Sequence, residues 1–300
     1  METAVKFNNV TKKFGPREAD LALDNITFET ARHTINGVVG RNGSGKTTLM
    51  QVIAGFKRPS SGTVEVFGVR PFNNLTVSAN SIFVDDEMSF PSSLQLNEIL
   101  HTAATFYPNW SASVAQELMQ SFRLPGDARH QELSKGMKSS FHAVIGLASR
   151  CPITLFDEPT VGMDETVRQE FYHWLKREYN SVPRTIFLSS HHISEIDELL
   201  EDILMMDQGR LLLNRPVADI RHHVLKVSGD ARSVEAYLGD KTELYREKLP
   251  DGSVFAAVYT ESPQAEDGKS FSVAIEQVTL QEAVRYLSRT AAGRTDDDAY

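Results

Sequence analysis

Nine consecutive residues near the start of the chain fit a pattern that binds phosphate groups. They are Gly40-Arg41-Asn42-Gly43-Ser44-Gly45-Lys46-Thr47-Thr48, and they fit G-x-x-x-x-G-K-[ST]. Glycine permits backbone conformations that a side chain would block, so successive N–H groups can turn inward and surround an anion. We expect Lys46 to reach the β- and γ-phosphates of a nucleotide and the Thr47 hydroxyl to hold Mg²⁺. The alternative is an ordinary glycine-rich turn, and the flanking elements argue against it.

Two adjacent carboxylates follow a second apolar segment. Asp157 and Glu158 come directly after Pro152-Ile153-Thr154-Leu155-Phe156, a short apolar run of the kind found in parallel sheets. Ligands of α/β folds bind at the carboxyl ends of the strands. We expect Asp157 to complete the Mg²⁺ shell, directly or through water, and Glu158 to act as general base or to position the attacking water. In a chain with a phosphate-binding loop, this pair indicates nucleotide hydrolysis.

Two further residues have two readings each. His191 ends the next apolar strand, so it is either a structural histidine or a contact to the γ-phosphate. Phe14 is a lone aromatic just before the turn Gly15-Pro16-Arg17. It either belongs to the core or offers a flat face on which a base stacks.

The order of elements predicts how these residues are held. Residues 4–30 alternate as antiparallel strands do, and strands then alternate with helices to about residue 213, which predicts a mainly parallel α/β sheet with an antiparallel edge. Residues 93–148 are predicted to form a helical subdomain inserted between strands. Its last helix should run from Lys135 to about Ser149, with Ser134 as its N-cap. The acidic run 195–202 is predicted to be a solvated helix face, and 207–210 a four-residue hairpin loop.

The polar segment around Pro216 to His223 marks a candidate boundary. The sequence predicts one domain over residues 1–220, a small α+β domain over 221–290, and a disordered tail over 291–300. The last helix of the small domain should begin at the capping box Thr279-Leu280-Gln281-Glu282.

Composition excludes several classes of protein. A net charge of −9 in 300 residues argues against nucleic acid as the main partner. Cys151 is the only cysteine and lies at the edge of a buried strand, which predicts an inert thiol and a cytosolic protein. No run of about eighteen apolar residues occurs, and the N-terminus lacks a signal-peptide core. We therefore expect any membrane role to come through a partner.

Further motifs make residues 4–215 similar to the nucleotide-binding subunits of ATP-binding cassette (ABC) transporters. Leu133-Ser134-Lys135-Gly136-Met137 stands where that family has its signature, usually Leu-Ser-Gly-Gly-Gln. Val161-Gly162-Met163-Asp164 resembles the D-loop, and Ser190-His191, followed by Glu195, resembles the switch-histidine motif. Phe14 occupies the position of the aromatic that stacks on adenine. The resemblance implies a P-loop ABC ATPase core with a helical insertion, plus the small C-terminal domain.

The resemblance also implies ligands and partners. ATP and Mg²⁺ would be bound, and His191 would meet the γ-phosphate. Ser134 and Gly136, at the start of a helix, would form a second anion site that faces the nucleotide of another subunit, with Asp164 beside it. A homodimer or a paired homologue would then enclose two ATP molecules.

Departures from the family pattern accompany the match. Lys135 and Met137 replace the usual Gly and Gln of the signature. Counting back from Phe90-Pro91, Asp85 takes the place of the Q-loop glutamine. Asp85 is either a ligand of Mg²⁺ or water, or part of a solvated acidic loop.

The function that this resemblance implies is transport. The chain would dimerise on ATP and drive export through separate integral membrane subunits, at the cytoplasmic face of a bacterial plasma membrane. The alternatives are a soluble ABC ATPase acting on nucleic acid or ribosomes, a non-catalytic regulator, and an importer ATPase.

Overall fold

Three sheets and ten α-helices make up the described part of the chain. The computed structural model describes residues 2–17, 20–190, 193–239, 241–261 and 271–292. The strands are β1 (Thr3–Lys13), β2 (Leu21–Ala31), β3 (Ile35–Val39), β4 (Ser61–Val66), β5 (Ser81–Val84), β6 (Ile153–Phe156), β7 (Thr185–Ser189), β8 (Asp202–Asp207), β9 (Arg210–Pro216), β10 (Val224–Gly229), β11 (Thr242–Lys248), β12 (Val254–Tyr259) and β13 (Ala274–Gln277). The helices are α1 (Lys46–Ile53), α2 (Leu75–Ala79), α3 (Leu96–Phe106), α4 (Ala112–Ser121), α5 (Lys135–Ala148), α6 (Glu165–Ser181), α7 (Ile193–Ile196), α8 (Val217–His223), α9 (Ala231–Leu238) and α10 (Leu280–Ala292).

The central sheet has six strands in the order β5-β6-β7-β3-β8-β9. All neighbouring pairs are parallel except β8 and β9, which confirms the predicted parallel sheet with an antiparallel edge. Because β3, β6 and β7 run in one direction, the residues that follow them meet at one edge. The phosphate-binding loop and the Asp157-Glu158 pair therefore come together.

Both faces of the central sheet are buried, which explains why its strands are continuously apolar. Leu155 and Phe187 pack with α1 and with the antiparallel sheet β2-β1-β4. Phe156 and Leu188, the next residues along, face a second apolar cluster that includes α5. Side chains alternate along a strand, so a strand covered on both sides needs apolar residues at every position.

The inserted helices agree with the sequence pattern. The described α5 confirms the helix predicted from Lys135, and Ser134 is its N-cap, with Ser134 Oγ accepting a hydrogen bond from the Met137 N–H. Phe141 and Val144 of this helix are fully buried. Cys151, just after the helix, is also buried, and burial raises the pKa of its thiol to about 11, in agreement with the inert thiol predicted.

Two local predictions are wrong. The β8–β9 hairpin has a two-residue loop, Gln208-Gly209, because Asp207 and Arg210 pair across the ladder. Both loop residues have positive φ (46° and 78°), the backbone of a type I′ turn, whose twist matches that of the strands. The acidic run is not a continuous helix either, because α7 is only four residues long. Glu198 and Glu201 are exposed as predicted, but Glu201 also accepts hydrogen bonds from the Ile35 N–H (2.9 Å) and the Tyr179 hydroxyl (2.5 Å).

The C-terminal region is a four-stranded antiparallel sheet in the order β11-β12-β10-β13. Helix α9 packs on one face, and α10 contacts β11 as well as α7, α8 and β9. The predicted boundary at residues 220 and 221 falls inside α8, so the division into domains stays a prediction. The predicted disordered tail lies outside the described residues, apart from its first two residues, which belong to α10. Within the described ranges, no helix combines the length and the apolar character needed to cross a membrane.

Candidate nucleotide-binding site

The phosphate-binding loop lies between β3 and α1 as the sequence predicts. Gly45, with φ of 102°, is the N-cap of α1, and a Cβ atom there would lie 2.5 Å from the carbonyl oxygen of Ala22. Only glycine fits this backbone and this close approach. Ser44 is buried, and its Oγ has no hydrogen-bond partner within the described structure. A buried hydroxyl without a partner in this loop suits a site that receives phosphate oxygens.

Lys46 and Thr47 begin α1, and their side chains face the carboxylates of Glu158 and Asp157. Lys46 Nζ donates to the carbonyls of Gly40 (2.8 Å) and Arg41 (3.2 Å), and it lies 3.7 Å from Glu158 Oε1. The ammonium is buried, with 6% of the side chain exposed, so it acts on charges next to it in a poorly screened environment. The Thr47 hydroxyl donates to the carboxylate of Asp157.

Ser189, which sequence reasoning missed, fixes both carboxylate residues. Its Oγ donates to Asp157 Oδ1 (2.6 Å) and accepts from the Glu158 N–H (2.8 Å). Ser189 ends β7, the neighbour of β6, so the hydroxyl stands beside the turn that carries Asp157 and Glu158. The sequence shows only a serine at the end of an apolar strand. The contacts that this serine makes depend on which strands are neighbours in the sheet.

A cavity of about 330 Å³ lies against these groups. The residues that line it are Asn42, Gly43, Gly45, Lys46, Thr47, Asp86, Asp157, Glu158 and Val161. The lining combines residues of the glycine-rich loop and a lysine with three carboxylates. This arrangement can bind a triphosphate and a divalent cation together. Of the other loop residues named from the sequence, Thr48 lies half-buried in the first turn of α1.

The structure places Asp85 and Asp86 in different cavities, and the role of Asp85 at the metal site stays a prediction. Asp86, rather than Asp85, lines this cavity, whereas Asp85 lines a neighbouring cavity of about 490 Å³ together with Gln51 and Met88. Burial, followed by the charge of Glu87, raises the pKa of Asp85 above its usual value. The chain leaves β5 at Val84 and turns at Asp86 and Glu87, so the two neighbouring carboxylates line different cavities.

The remaining predicted residues lie away from the cavity or outside the described chain. His191 lies outside the described residues. The ring of Phe14 is 58% exposed, with Lys12 Nζ 5.1 Å and Lys57 Nζ 5.8 Å from its centroid. The alternative that Phe14 belongs to the core is therefore wrong, and the structure offers an exposed aromatic face between two lysines.

The signature segment, residues 133–137, packs against the D-loop of the same chain. A Cβ atom on Gly136 would lie 2.2 Å from the Gly162 carbonyl oxygen, and Ser139 Oγ donates to the Val161 carbonyl (2.7 Å). Asp164 is the N-cap of α6. None of Ser134, Gly136 and Asp164 is among the residues that line the cavity.

The fold and the site together define a P-loop ATPase. A lysine and a threonine at the start of a helix face an Asp-Glu pair at the end of a neighbouring parallel strand. Residues 23–161 match the family model described as ABC transporter. The chain therefore contains an ABC transporter ATP-binding domain, and the residues of this domain's site are those of an ATPase.

Known relatives and solved structures agree with this assignment. The chain is 25% identical over 210 residues to the ABC transporter ATP-binding protein YtrB of Bacillus subtilis, covering 70% of this chain and 72% of YtrB. It is 29% identical over 222 residues to the bacitracin transport ATP-binding protein BcrA of Bacillus licheniformis, covering 72% and 71%. A solved ATP-binding subunit of an ABC transporter superposes with a TM-score of 0.64 at 23% identity, covering 73% of this chain and 92% of that one. The dimeric cassette MJ0796 bound to ADP and Pi superposes with a TM-score of 0.63 at 21% identity, covering 71% of this chain and 98% of that one. Both similarities to solved structures concern the fold alone.

Proposed function

We propose that this ATPase subunit drives export through separate integral membrane subunits, at the cytoplasmic face of a bacterial plasma membrane. The observation that carries the ATP-driven part is the connected set Lys46, Glu158, Ser189, Asp157 and Thr47 around one cavity. Export is supported by relatives described as drug resistance, bacitracin transport and Nod factor export ATP-binding proteins.

The residues of the cavity fit magnesium as well as ATP. Thr47 and Asp157 offer a hydroxyl and a carboxylate, the hard oxygen ligands that Mg²⁺ prefers, and Asp86 faces the same space. Bound Mg²⁺ would supply positive charge to the phosphate oxygens. We assign Thr47, Asp157 and Asp86 to this ion or its water molecules, with Asp86 taking the part that the sequence pattern predicts for Asp85.

The roles of the protein groups in hydrolysis follow from their placement. Lys46 would exchange its bonds to the loop carbonyls for phosphate oxygens, and the loop amides from Gly40 to Thr48 would hold the remaining oxygens. Glu158 would position the attacking water or accept its proton, and Ser189 holds the backbone of Glu158 for that task. Phe14 would stack on adenine, and His191 would contact the γ-phosphate.

A second ATPase subunit completes the proposed site. Ser134 and Gly136 begin α5, where free N–H groups can bind an anion, yet they do not line the cavity of their own chain. We propose that they meet the γ-phosphate of ATP on a second copy of this chain or on a homologous subunit, with Asp164 at the same interface. The net charge of −9 still predicts no nucleic-acid partner.

Import is the second candidate because one relative supports it. The chain is 26% identical over 242 residues to the probable sulfate/thiosulfate import ATP-binding protein CysA of Chlorella vulgaris. The two directions share the ATPase chemistry and differ in the direction in which a substrate moves.

Co-purification from membranes tests the proposal. A tagged Glu158→Gln variant, with ATP and Mg²⁺ added before detergent solubilisation, should retain multi-spanning subunits, identified by mass spectrometry. The matched control is Lys46→Ala, which should release them more readily because ATP no longer holds the assembly. A soluble dimer with full ATPase activity and no membrane partner would contradict the proposal. Accumulation of substrate by inside-out vesicles would support export, and accumulation by right-side-out vesicles would support import.

A further inference from the structure

Two histidines form a hydrogen-bonded pair beside the site, and neither belongs to a motif of the sequence. His142 lies on α5 and is 2% exposed, and His130 lies in the 3₁₀ turn before the signature segment. The two Nε2 atoms are 2.7 Å apart, and His142 Nδ1 is 3.0 Å from the main-chain oxygen of Asp85.

These contacts determine where the protons are. A carbonyl oxygen only accepts hydrogen bonds, so His142 Nδ1 carries a proton. The Nε2 atom of a neutral His142 is then an acceptor, and the Nε2–H of His130 donates to it. Each ring therefore has one defined tautomer.

The surroundings keep His142 neutral. Burial, followed by the neighbouring His130, lowers the pKa of His142 to about 4, and Lys138 adds to this effect. The Phe90 ring packs edge-on against His130, with centroids 5.0 Å apart, and against Phe141 at 5.7 Å. The pair is thus covered by the loop that follows Asp85.

The histidine pair is connected to the cavity through Asp85, whose main-chain oxygen contacts His142 and whose neighbour Asp86 lines the cavity. The chain leaves β5 with the Val84 carbonyl accepting from the Asp157 N–H (2.8 Å), and the Asp85 carbonyl accepting from His142. Asp86 comes next and lines the cavity. Two successive carbonyls are therefore held, one by the residue that follows β6 and one by α5, immediately before the carboxylate enters the site.

We propose that His142 is a positioning residue for ATP hydrolysis, which holds Asp86 in the phosphate cavity through the main-chain carbonyl of Asp85, while His130 fixes its tautomer. The inference rests on the role proposed above for Asp86, but it does not depend on export or on any membrane partner. Steady-state ATPase assays of the whole chain can therefore test it.

The first test compares two substitutions of His142. His142→Asn places an amide N–H near the position of Nδ1 and can keep the bond to Asp85, whereas His142→Leu cannot. Loss of one hydrogen bond that matters in the transition state corresponds to roughly a tenfold lower rate, so His142→Leu should lower kcat about tenfold. The KM for ATP should change less than about twofold because the residue does not touch the loop that binds the phosphates. The Mg²⁺ concentration for half-maximal activity should rise, and His142→Asn should restore most of kcat.

A double-mutant cycle then tests the route through Asp86. Asp86→Asn alone should lower kcat, and adding His142→Leu should cause little further loss because both changes remove the same interaction. Multiplied losses in the double variant would overturn the proposal, and so would failure of His142→Asn to restore activity in a folded protein. Thermal unfolding and ATP binding of each variant separate these outcomes from simple loss of fold.

The wild-type protein provides a test that needs no substitution of His142. Nitrogen-15 NMR of the imidazole rings at pH 7 should show His142 protonated at Nδ1 only and His130 protonated at Nε2. A His142 ring protonated at Nε2 would overturn the proposal, whatever the behaviour of the variants.

Discussion

Two segments of this chain are proposed to contact phosphate, and their surroundings differ. The phosphate-binding loop faces carboxylates within its own chain, with Lys46 next to Glu158 and Thr47 bonded to Asp157. The signature segment is fixed through its backbone, with Gly136 against Gly162, and the exposed Ser134 lines no part of the cavity. The phosphate-binding loop has catalytic groups beside it, whereas the signature segment exposes Ser134 at the surface, as the proposed site shared between two chains would require.

The largest expected effect lies on the side of the phosphate-binding loop. Glu158→Gln should lower kcat by about 10²–10⁴-fold because the amide cannot accept a proton from water. ATP binding should persist, since Lys46 and the loop amides are unchanged. Single-turnover hydrolysis and nucleotide titration measure the two effects. Glu117→Gln, an exposed glutamate that pairs with Arg177 on the surface, is the matched control. Full activity of Glu158→Gln would place the general base elsewhere.

Mixing two inactive variants tests whether the two segments act in different chains. Lys46→Ala removes the lysine of the phosphate-binding loop, and Ser134→Phe blocks the signature segment with a bulky side chain. A one-to-one mixture of the two should regain about a quarter of the wild-type ATPase rate, because half of the dimers then contain one intact site of two.

The control mixture is Lys46→Ala with Glu158→Gln. Both changes damage the part of the site that one chain supplies through Lys46 and Glu158, so no dimer in this mixture has an intact site. Equal recovery in both mixtures, or none in either, would contradict a site shared between chains.

Acid should lower the stability of the protein through His142, which lies on the helix that follows the signature segment. Burial, His130 and Lys138 lower its pKa to about 4, and Asp86 opposes the shift. The stability that neutral His142 contributes is therefore present above the unfolded-state pKa near 6.5 and is lost as the pH falls toward 4. The loss reaches about 3 kcal/mol in the free energy of unfolding.

Urea unfolding between pH 7 and 4 measures this loss. His142→Asn should remove about that much of the pH dependence, whereas His173→Asn, a substitution of an exposed histidine on α6, should leave it unchanged. Parallel stability curves for wild type and His142→Asn would contradict the burial of a neutral ring.

The smallest expected effect compares one glycine from each segment. Gly136→Ala brings a Cβ against the backbone of Gly162 and should lower the free energy of unfolding by about 2–3 kcal/mol. Gly43 has φ of 79°, but a Cβ added there would meet no atom within 4 Å, so Gly43→Ala should cost only about 1 kcal/mol of backbone strain. Thermal unfolding without nucleotide measures both. A reversed order would mean that the contact between the signature segment and the D-loop is loose.

The sequence predicts the parts of the site that depend on local order. A glycine-rich loop between strand and helix, and two carboxylates at the end of another strand, must meet once the strands are parallel. Ser189 could not be assigned a part, because its bonds to Asp157 and Glu158 depend on β7 lying next to β6. Strand order is a property of tertiary packing, and no single segment contains it.

The other features that the sequence leaves undecided have the same cause at shorter range. Asp85 and Asp86 are indistinguishable by residue type, and only the direction of the chain after Val84 decides which carboxylate enters the cavity. Glu201 resembles one more charge on an acidic helix, whereas the fold brings Ile35 and Tyr179 to it. The His130–His142 contact has no spacing typical of a motif.

The packing of α10 has a practical consequence for anyone who shortens this chain. Leu280 and Val284 of that helix share one apolar cluster with Ile196 and Ile220. A fragment ending near residue 220 would leave those isoleucines exposed to solvent. An exposed hydrophobic surface of this kind promotes aggregation during expression. Producing the catalytic half by itself would therefore call for polar replacements at these positions, or for keeping the last helix attached.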